Sequence, residues 1–339
     1  MIVQAIQKAV SGTDLTEAEM TAAMLEIMEG KTNPVRIATL LTALRMKGET
    51  IPEITGAAKV MRQKALTIPV SIREDLVDVV GTGGDSSNTF NISTAAAFVV
   101  CGAGLRVAKH GNRSVSSRCG SADVIEKLGV NIALGPESVG RTIDELGIGF
   151  LFAQTLHLAM KHAAPVRKEM GIRSIFNILG PLTNPADAEI QLVGVYDRKL
   201  VEPIAGVLQQ LGRKRALVVH GRDGLDEITI GAETDICELE GGKLKSYTIQ
   251  PEDFGYSRFG LDSLKGGGPA ENAAIIKALL QGSRGPHRDI VCLNAGAAIM
   301  AAARADNIKD GIRLAQESID SGSANRKLEL LCEMTQGLA

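Results

Sequence analysis

The chain has 339 residues, 45% of them hydrophobic and 22% charged, which excludes collagen-like, disordered and coiled-coil readings of the whole. At roughly 150 residues per domain, that length corresponds to about two domains. Lys+Arg number 37 against 39 Asp+Glu, aromatics are only 3% and Trp is absent, so neither a global field for nucleic acid nor a stacking platform for single strands is expected, although a local basic patch stays open.

The first elements are helical. Ile2, Ile6, Ala9 and Val10 recur at helix spacing, without the continuous apolar stretch of a signal peptide. Thr16 and Glu19 form a candidate capping box for a helix that Gly30 stops. Asn33-Pro34 opens a third helix ending at Gly48, and Thr50 with Glu53 opens a fourth that runs to about Ala65. Together they make an all-α module, and Ile68-Pro69-Val70 reads as a hinge after it.

The pattern then alternates. Leu76 to Val80 reads as a strand ending in glycines, Ile92 to Cys101 as a helix and Leu105 to Ala108 as a strand. Ser121 to Leu128 and Glu137 to Leu146 read as helices, and Ile148 to Phe152 as a strand. This alternation predicts an α/β domain with a mainly parallel sheet flanked by helices. Leu156 to Met170 reads as one helix ending at Gly171, and Asn177 to Pro185 as an ordered loop. Strands return at Ile190 to Tyr196 and Ala216 to His220, followed by a hairpin about Gly241-Gly242 and a mostly helical, alanine-rich end. The apolar stretch Ala95 to Leu105 is too short to span a bilayer. The cysteines are isolated and lack a C-x-x-C pair, which fits a reducing cytoplasm rather than a disulfide framework or zinc site.

Several segments could carry chemistry. Gly81-Thr82-Gly83-Gly84-Asp85 directly follows a predicted strand, where ligands bind in α/β sheets. Glycines let backbone N–H groups approach a phosphate, but a tight turn accounts for them equally well. Neither the dinucleotide fingerprint nor the P-loop is complete. Asn88, Thr89, Asn91, Ser93 and Thr94 crowd the next helix start beyond the needs of one cap and suit an anion. Lys109-His110-Gly111-Asn112-Arg113, then Ser114, Ser116, Ser117 and Arg118, read as a cationic, hydroxyl-rich loop for a polyphosphate. Asp226-Glu227 in a glycine-rich turn could share Mg²⁺ with substrate phosphates, although two surface acids is the simpler reading of that pair alone. Arg167 shares its segment with His157, Lys161, His162 and Lys168; one inward arginine there would grip a carboxylate with its planar fork.

Taken in order, GTGGD, NTFNIST, KHGNR and the serines up to GSAD, GIGFLFAQ, APVRKEMGIRSIFNILGPLTNP and GLDEIT resemble the anthranilate phosphoribosyltransferase family of tryptophan biosynthesis along the whole chain. The resemblance implies a small α-helical domain at residues 1–70 and about 160–185, used in dimerisation and in part of the anthranilate site. It implies a larger α/β catalytic domain at 71–159 and about 186–339. The implied reaction moves the 5-phosphoribosyl group from phosphoribosyl pyrophosphate (PRPP) to the amine of anthranilate and releases pyrophosphate. By the same resemblance, PRPP would meet Gly81, Gly84, Asp85, Thr89, Asn91, Ile92, Ser93, Thr94, Lys109, His110, Gly111, Asn112, Arg113, Ser114, Val115, Ser116, Ser117 and Ser121. Anthranilate would meet Gly81, Asn112 and Arg167, and Ser93, Asp226 and Glu227 would hold Mg²⁺, two ions per subunit. Lys109 and Arg113 would stabilise an oxocarbenium-like transition state, with no general base assigned.

A homodimer in the cytoplasm is implied, with no nucleic-acid or membrane partner; a complex with the glutamine-dependent anthranilate synthase stays open. The chain departs from the family at Ser114 (usually Ala), Cys119 (usually Ser) and Leu158 (often Pro). A nucleoside phosphorylase of the same fold is the nearest alternative, and the KHGNR block argues against it. A non-catalytic nucleic-acid-binding relative is disfavoured by the net charge of −2.

Overall fold

A computed structural model describes residues 1–114 and 118–338, so the expectations for Val115, Ser116 and Ser117 lie outside the described residues. Helices α1 (Ile2–Val10), α2 (Glu17–Met28), α3 (Pro34–Lys47) and α4 (Ile51–Lys64) begin the chain. Their ends follow local chemistry. Thr16 Oγ1 accepts the Glu19 N–H at 3.2 Å while the Glu19 carboxylate accepts the Thr16 N–H at 2.9 Å, a full reciprocal cap. Asn33 caps α3 by accepting the Arg36 N–H at 2.9 Å. At α4 half of the box forms: Glu53 accepts the Thr50 N–H at 2.8 Å, and the Thr50 hydroxyl has no partner among the described residues. Glu53 is fully buried and also takes the Leu15 N–H at 2.8 Å and Lys47 Nζ at 3.0 Å. One carboxylate thereby joins the α1–α2 connection, the end of α3 and the start of α4.

The sheet contains β1 (Leu76–Gly81), β2 (Arg106–Gly111), β3 (Ile148–Phe152), β4 (Ile190–Gly194), β5 (Arg215–Gly221), β6 (Thr234–Glu240) and β7 (Lys243–Ile249), in the order β3-β2-β1-β4-β5-β6-β7. The first five positions pair in parallel, and β6 and β7 pair antiparallel. Strand order runs outward from β1 through β2 and β3, then resumes on the other side at β4. The boundary between β1 and β4 is therefore the topological switch point, where the crevice for a ligand opens at the carboxyl ends of the strands.

Alternate strand residues face opposite layers. Leu192, Leu217 and Val219 join a core with α5 (Ile92–Gly102), α6 (Ser121–Leu128) and, after α7 (Pro136–Leu146), α8 (Ala153–Leu156), α9 (Ala164–Met170), α10 (Phe176–Leu179) and α11 (Val201–Gln210), the C-terminal helices α12 (Pro269–Leu280), α13 (Pro286–Ala301), α14 (Ile308–Asp320) and α15 (Ser323–Gly337). Val193, Ala216 and Val218 face the other way. They share a core with α11, with α9 and α10, and with all four N-terminal helices. No disulfide joins the cysteines among the described residues, and no helix among them is long and apolar enough to cross a membrane.

Local expectations change in several places. β2 does not stop at Ala108: Lys109, His110 and Gly111 pair with Phe150, Leu151 and Phe152 of β3, so the first half of the expected cationic loop is buried strand. The helix expected over Leu156 to Met170 is broken into α8, a 3-10 turn at Leu158–His162 and α9. His157 leaves helical geometry at φ −107° and ψ 60°, and Pro165 begins α9 afresh. The segment 177–185 is not loop throughout, because α10 and a 3-10 turn at Gly180–Leu182 occupy its start. The sequence reading assigns no element to 201–210, where α11 forms. The hinge-like segment is closely packed: Ile68 is buried and donates its N–H to Pro185 O at 3.1 Å.

Glu53→Ala leaves buried N–H groups and the Lys47 ammonium without their acceptor, and should cost about 3 kcal/mol of stability. Urea unfolding followed by far-UV circular dichroism reads this directly; an unchanged midpoint would assign Glu53 no part in joining the helices.

Candidate active site

Gly81 and Gly194 stand side by side where β1 and β4 end. A Cβ on Gly81 would lie 2.5 Å from Asp226 Oδ2, and one on Gly194 would lie 1.6 Å from the Asp226 carbonyl oxygen. Only residues without a Cβ let the 222–229 turn close over these strand ends. There, Asp226 Oδ2 accepts the Gly83 N–H at 2.7 Å, with Gly83 in the left-handed region at φ 65°. Glu227 Oε1 accepts the Ser93 N–H at 3.1 Å, in the first turn of α5. The glycine turn and helix start expected to hold a phosphate hold these two carboxylates. The Ile92 side chain is in the core and its N–H goes to Phe90 O at 2.9 Å.

Both acids are buried. Burial, then repulsion from Asp85 and Glu227, pushes the Asp226 carboxyl well above the usual carboxylate range. Burial lifts Glu227 too, against the pull of Lys109 and the Ser93 amide. No three His, Cys, Asp or Glu side chains converge on a metal-sized space among the described residues. Asp226, Glu227 and Ser93 therefore fit a hard cation whose shell is completed by water or substrate oxygens, the habit of Mg²⁺.

Lys109 is buried beside them in β2, with Nζ 3.1 Å from His110 O. Burial lowers its pKa, opposed by Asp78, Glu227 and Asp226. Asp78, fully buried in β1, accepts the His110 N–H at 3.2 Å and Asn184 Nδ2 at 2.8 Å, and burial lifts it to about 6. Asn184 also donates to Ala108 O at 2.8 Å. Sequence reasoning missed Asp78, Asn184 and Gly194; an acid inside the apolar run Leu76 to Val80 was the available signal for the first.

Beyond β2 lies Arg113. Its guanidinium bonds Asp123 at 2.8 Å and Glu126 at 3.0 Å and lies 5.5 Å over the Phe152 ring. Two carboxylates of α6 thus pair with it. Asp123 also accepts the Ser114 and Gly120 N–H groups at 3.2 and 2.9 Å. Ser121 Oγ bonds the backbone of Asn112, and Gly111 is glycine because a Cβ would lie 2.3 Å from that oxygen. Asn91 bridges Cys119 O at 3.3 Å and Asn272 at 3.0 Å. Thr89 lies beside Ser87, and the Thr94 hydroxyl is buried without a partner among the described residues.

On the far side of the cleft, Arg167 is half-buried, 5.1 Å over the Phe176 ring, and has no hydrogen-bond or ion-pair partner among the described residues. Lys161 and Lys168 are exposed, so Arg167 is the inward cation of its segment. Arg173, which sequence reasoning also missed, donates to Gly84 O at 2.9 Å and lies 4.3 Å over Tyr196, tying this segment to the glycine turn. Leu158 is exposed at the start of the 3-10 turn.

His110 and His157 form a buried pair, with Nε2 to Nε2 at 3.3 Å and His110 Nδ1 at 3.1 Å from Gly180 O. Burial pushes His110 down to about 3 and His157 to about 4. The unfolded chain therefore binds protons near pH 6.5 that the folded chain refuses. Stability from this source is complete above that value and is lost as pH falls toward 4, at up to about 1.4 kcal/mol per pH unit per histidine. Urea-unfolding free energies measured from pH 7 to 4.5 should fall less steeply for a His110→Gln/His157→Gln variant; equal slopes would contradict this.

Residues 3–65 match the model of the glycosyl transferase family helical bundle domain, and residues 73–325 that of the glycosyl transferase family a/b domain. The chain is 55% identical to the anthranilate phosphoribosyltransferase of Trichlorobacter lovleyi, over 99% of this chain and 100% of that one. It superposes on the anthranilate phosphoribosyltransferase of Thermus thermophilus with a TM-score of 0.93 at 46% identity, covering 98% of this chain and 99% of that one. The Saccharomyces cerevisiae enzyme in complex with PRPP and Mg matches with a TM-score of 0.90 at 30% identity, over 99% and 98% of the two chains. The same yeast enzyme has also been solved with 4-fluoroanthranilate. Near-complete coverage in both directions leaves no domain of these relatives unmatched, and the chain belongs to the anthranilate phosphoribosyltransferase family.

Proposed function

We propose that this chain transfers the 5-phosphoribosyl group of PRPP to the amine of anthranilate, releasing pyrophosphate, as the second step of tryptophan biosynthesis from chorismate. The observation that carries the reading is the pair of buried acids, Asp226 and Glu227, docked on the Gly83 and Ser93 amides beside Lys109 at the switch point of the sheet. Two buried carboxylates in one crevice call for a cation, and a polyphosphate calls for the same one. The yeast relative's complex with PRPP and Mg supports that pairing.

In this reading PRPP lies across Gly81, Gly84, Asp85, Thr89, Asn91, Ser93 and Thr94 and meets Lys109 to Ser114 and Ser121 on the other side. Magnesium held by Asp226, Glu227 and Ser93, two ions per subunit, would supply positive charge to the departing pyrophosphate. Lys109 adds a buried cation there, and electrostatic preorganisation of this kind is usually the largest catalytic contribution. The C1–oxygen bond breaks ahead of attack, through an oxocarbenium-like transition state. An aromatic amine is unprotonated at neutral pH, so its lone pair is available without a strong base, and none is assigned. Arg167 takes the anthranilate carboxylate, with Gly81 and Asn112 nearby.

The helical domain, residues 1–70 with about 160–185, carries the second substrate and the dimer contact; residues 71–159 and about 186–339 carry PRPP. Exposed Val10, Val35 and Met46 on or beside α1 and α3 support a homodimer through these helices. Cysteines without a disulfide among the described residues support a reducing, cytoplasmic setting.

Arg167→Ala removes a charged two-point bond and should raise the anthranilate KM about tenfold or more while leaving the PRPP KM within about threefold. Steady-state assays following the loss of anthranilate fluorescence separate the two, and equal rises would remove Arg167 from this role. Asp226→Ala and Glu227→Ala should each shift the Mg²⁺ titration of the rate to higher concentration. Superimposable titration curves would make both acids structural.

A further inference from the structure

A chain of side-chain amides joins α12 to the start of α5, and it has only one consistent direction. Asn272, buried in the first turn of α12, accepts the Gly267 N–H at 2.7 Å through its Oδ1. A backbone N–H donates and cannot accept, so the other arm of this amide is its NH₂ group. Asn272 Nδ2 therefore donates to Asn91 Oδ1, at 3.0 Å. Asn91 is left with its own NH₂ group, which donates to Cys119 O at 3.3 Å, and a backbone carbonyl can only accept. Backbone groups thus fix both ends of the chain. Neither amide can turn over without setting oxygen against oxygen or hydrogen against hydrogen.

The segment ahead of α12 is built around the same amide. The Phe90 N–H bonds Leu264 O at 3.0 Å, the Gly266 N–H bonds Asn88 O at 3.0 Å, and Thr89 pairs with Lys265 as an antiparallel bridge. A Cβ on Gly266 would lie 2.4 Å from Asn272 Oδ1 and 2.8 Å from the Phe90 backbone, so only glycine lets the segment pass between them. On the other side, Cys119 leads directly into Gly120, whose N–H is held by Asp123 at 2.9 Å, and Ser121, whose hydroxyl takes the Asn112 N–H at 3.1 Å. Asn91 is the one side chain of this chain of bonds that reaches both segments. Its own orientation is set from behind by Asn272.

We propose that Asn272 is a positioning residue for PRPP: through Asn91 it sets the distance between the start of α5 and the 119–121 segment, the two sides of the phosphoribosyl site. The inference rests on the reading in the preceding section, in which PRPP lies between these two segments. Asn272 acts through its neighbour and is itself buried away from substrate.

Two variants separate hydrogen bonding from packing. Asn272→Leu keeps the shape of the side chain and removes both its acceptor and its donor, whereas Asn272→Ser loses volume and reach as well. Both should raise the PRPP KM, and the Kd of PRPP with Mg²⁺ by calorimetry, about tenfold, while the anthranilate KM stays within about threefold. Ser318→Ala deletes a buried 2.8 Å bond to Val99 O near the far end of α5, and should leave all three constants within about twofold. A Leu variant that binds PRPP as the wild type does makes Asn272 a packing residue, and equal rises in both KM values make it a general structural one. Either result overturns the proposal, as does the failure of both variants to fold. Where only one variant folds, its KM split against the Ser318→Ala control decides. Absence of PRPP binding to the wild-type protein would instead overturn the functional reading beneath it.

Discussion

Two carboxylates pressed against backbone amides set the geometry of this molecule's cleft. Asp226 on the Gly83 N–H and Glu227 on the Ser93 N–H lie in a buried setting where each charge is costly. Their approach requires Gly81 and Gly194 to lack side chains where β1 and β4 part. It also requires α5 to begin within reach of Glu227, and Lys109 to be carried inward by the extension of β2. Each requirement is met by a different element, and together they build a cradle of buried charge at the switch point of the sheet.

The opposite wall is built by interruption. A continuous helix over Leu156 to Met170 would spread its charges around one cylinder. The break at His157, the 3-10 turn and the restart at Pro165 instead leave Lys161 and Lys168 in solvent and turn Arg167 over Phe176. α9 and α10 share a core with the N-terminal helices, with α11 and with one face of the sheet, so the cation of this wall stands on elements packed between helices and strands. The acids of the other wall belong to the sheet. Arg173 crosses between them to Gly84.

Charge that looks free in a sequence is often already paired. Arg113 and Lys109 sit in one basic run, yet Arg113 is held by Asp123 and Glu126 while Lys109 is buried among Asp78 and the two cleft acids. Only the partners distinguish them, and the partners come from elements far apart in the chain. Asp78 shows the converse: an acid inside an apolar strand holds β2 in place through the His110 amide and Asn184.

The sequence by itself determined whatever depends on neighbours a few residues away. The caps at Thr16 and Asn33, the glycine stops, the strand ahead of the glycine turn and the hairpin about Gly241-Gly242 are local matters of hydrogen-bond geometry and backbone freedom. The order of its motifs also carried the family. Tertiary structure decided which strand residues are buried past Ala108, where the helix before Met170 breaks, which arginine faces inward and why Gly194 must be glycine. Those outcomes depend on strand register, burial and charge pairing between segments distant along the chain, which local residue patterns do not encode.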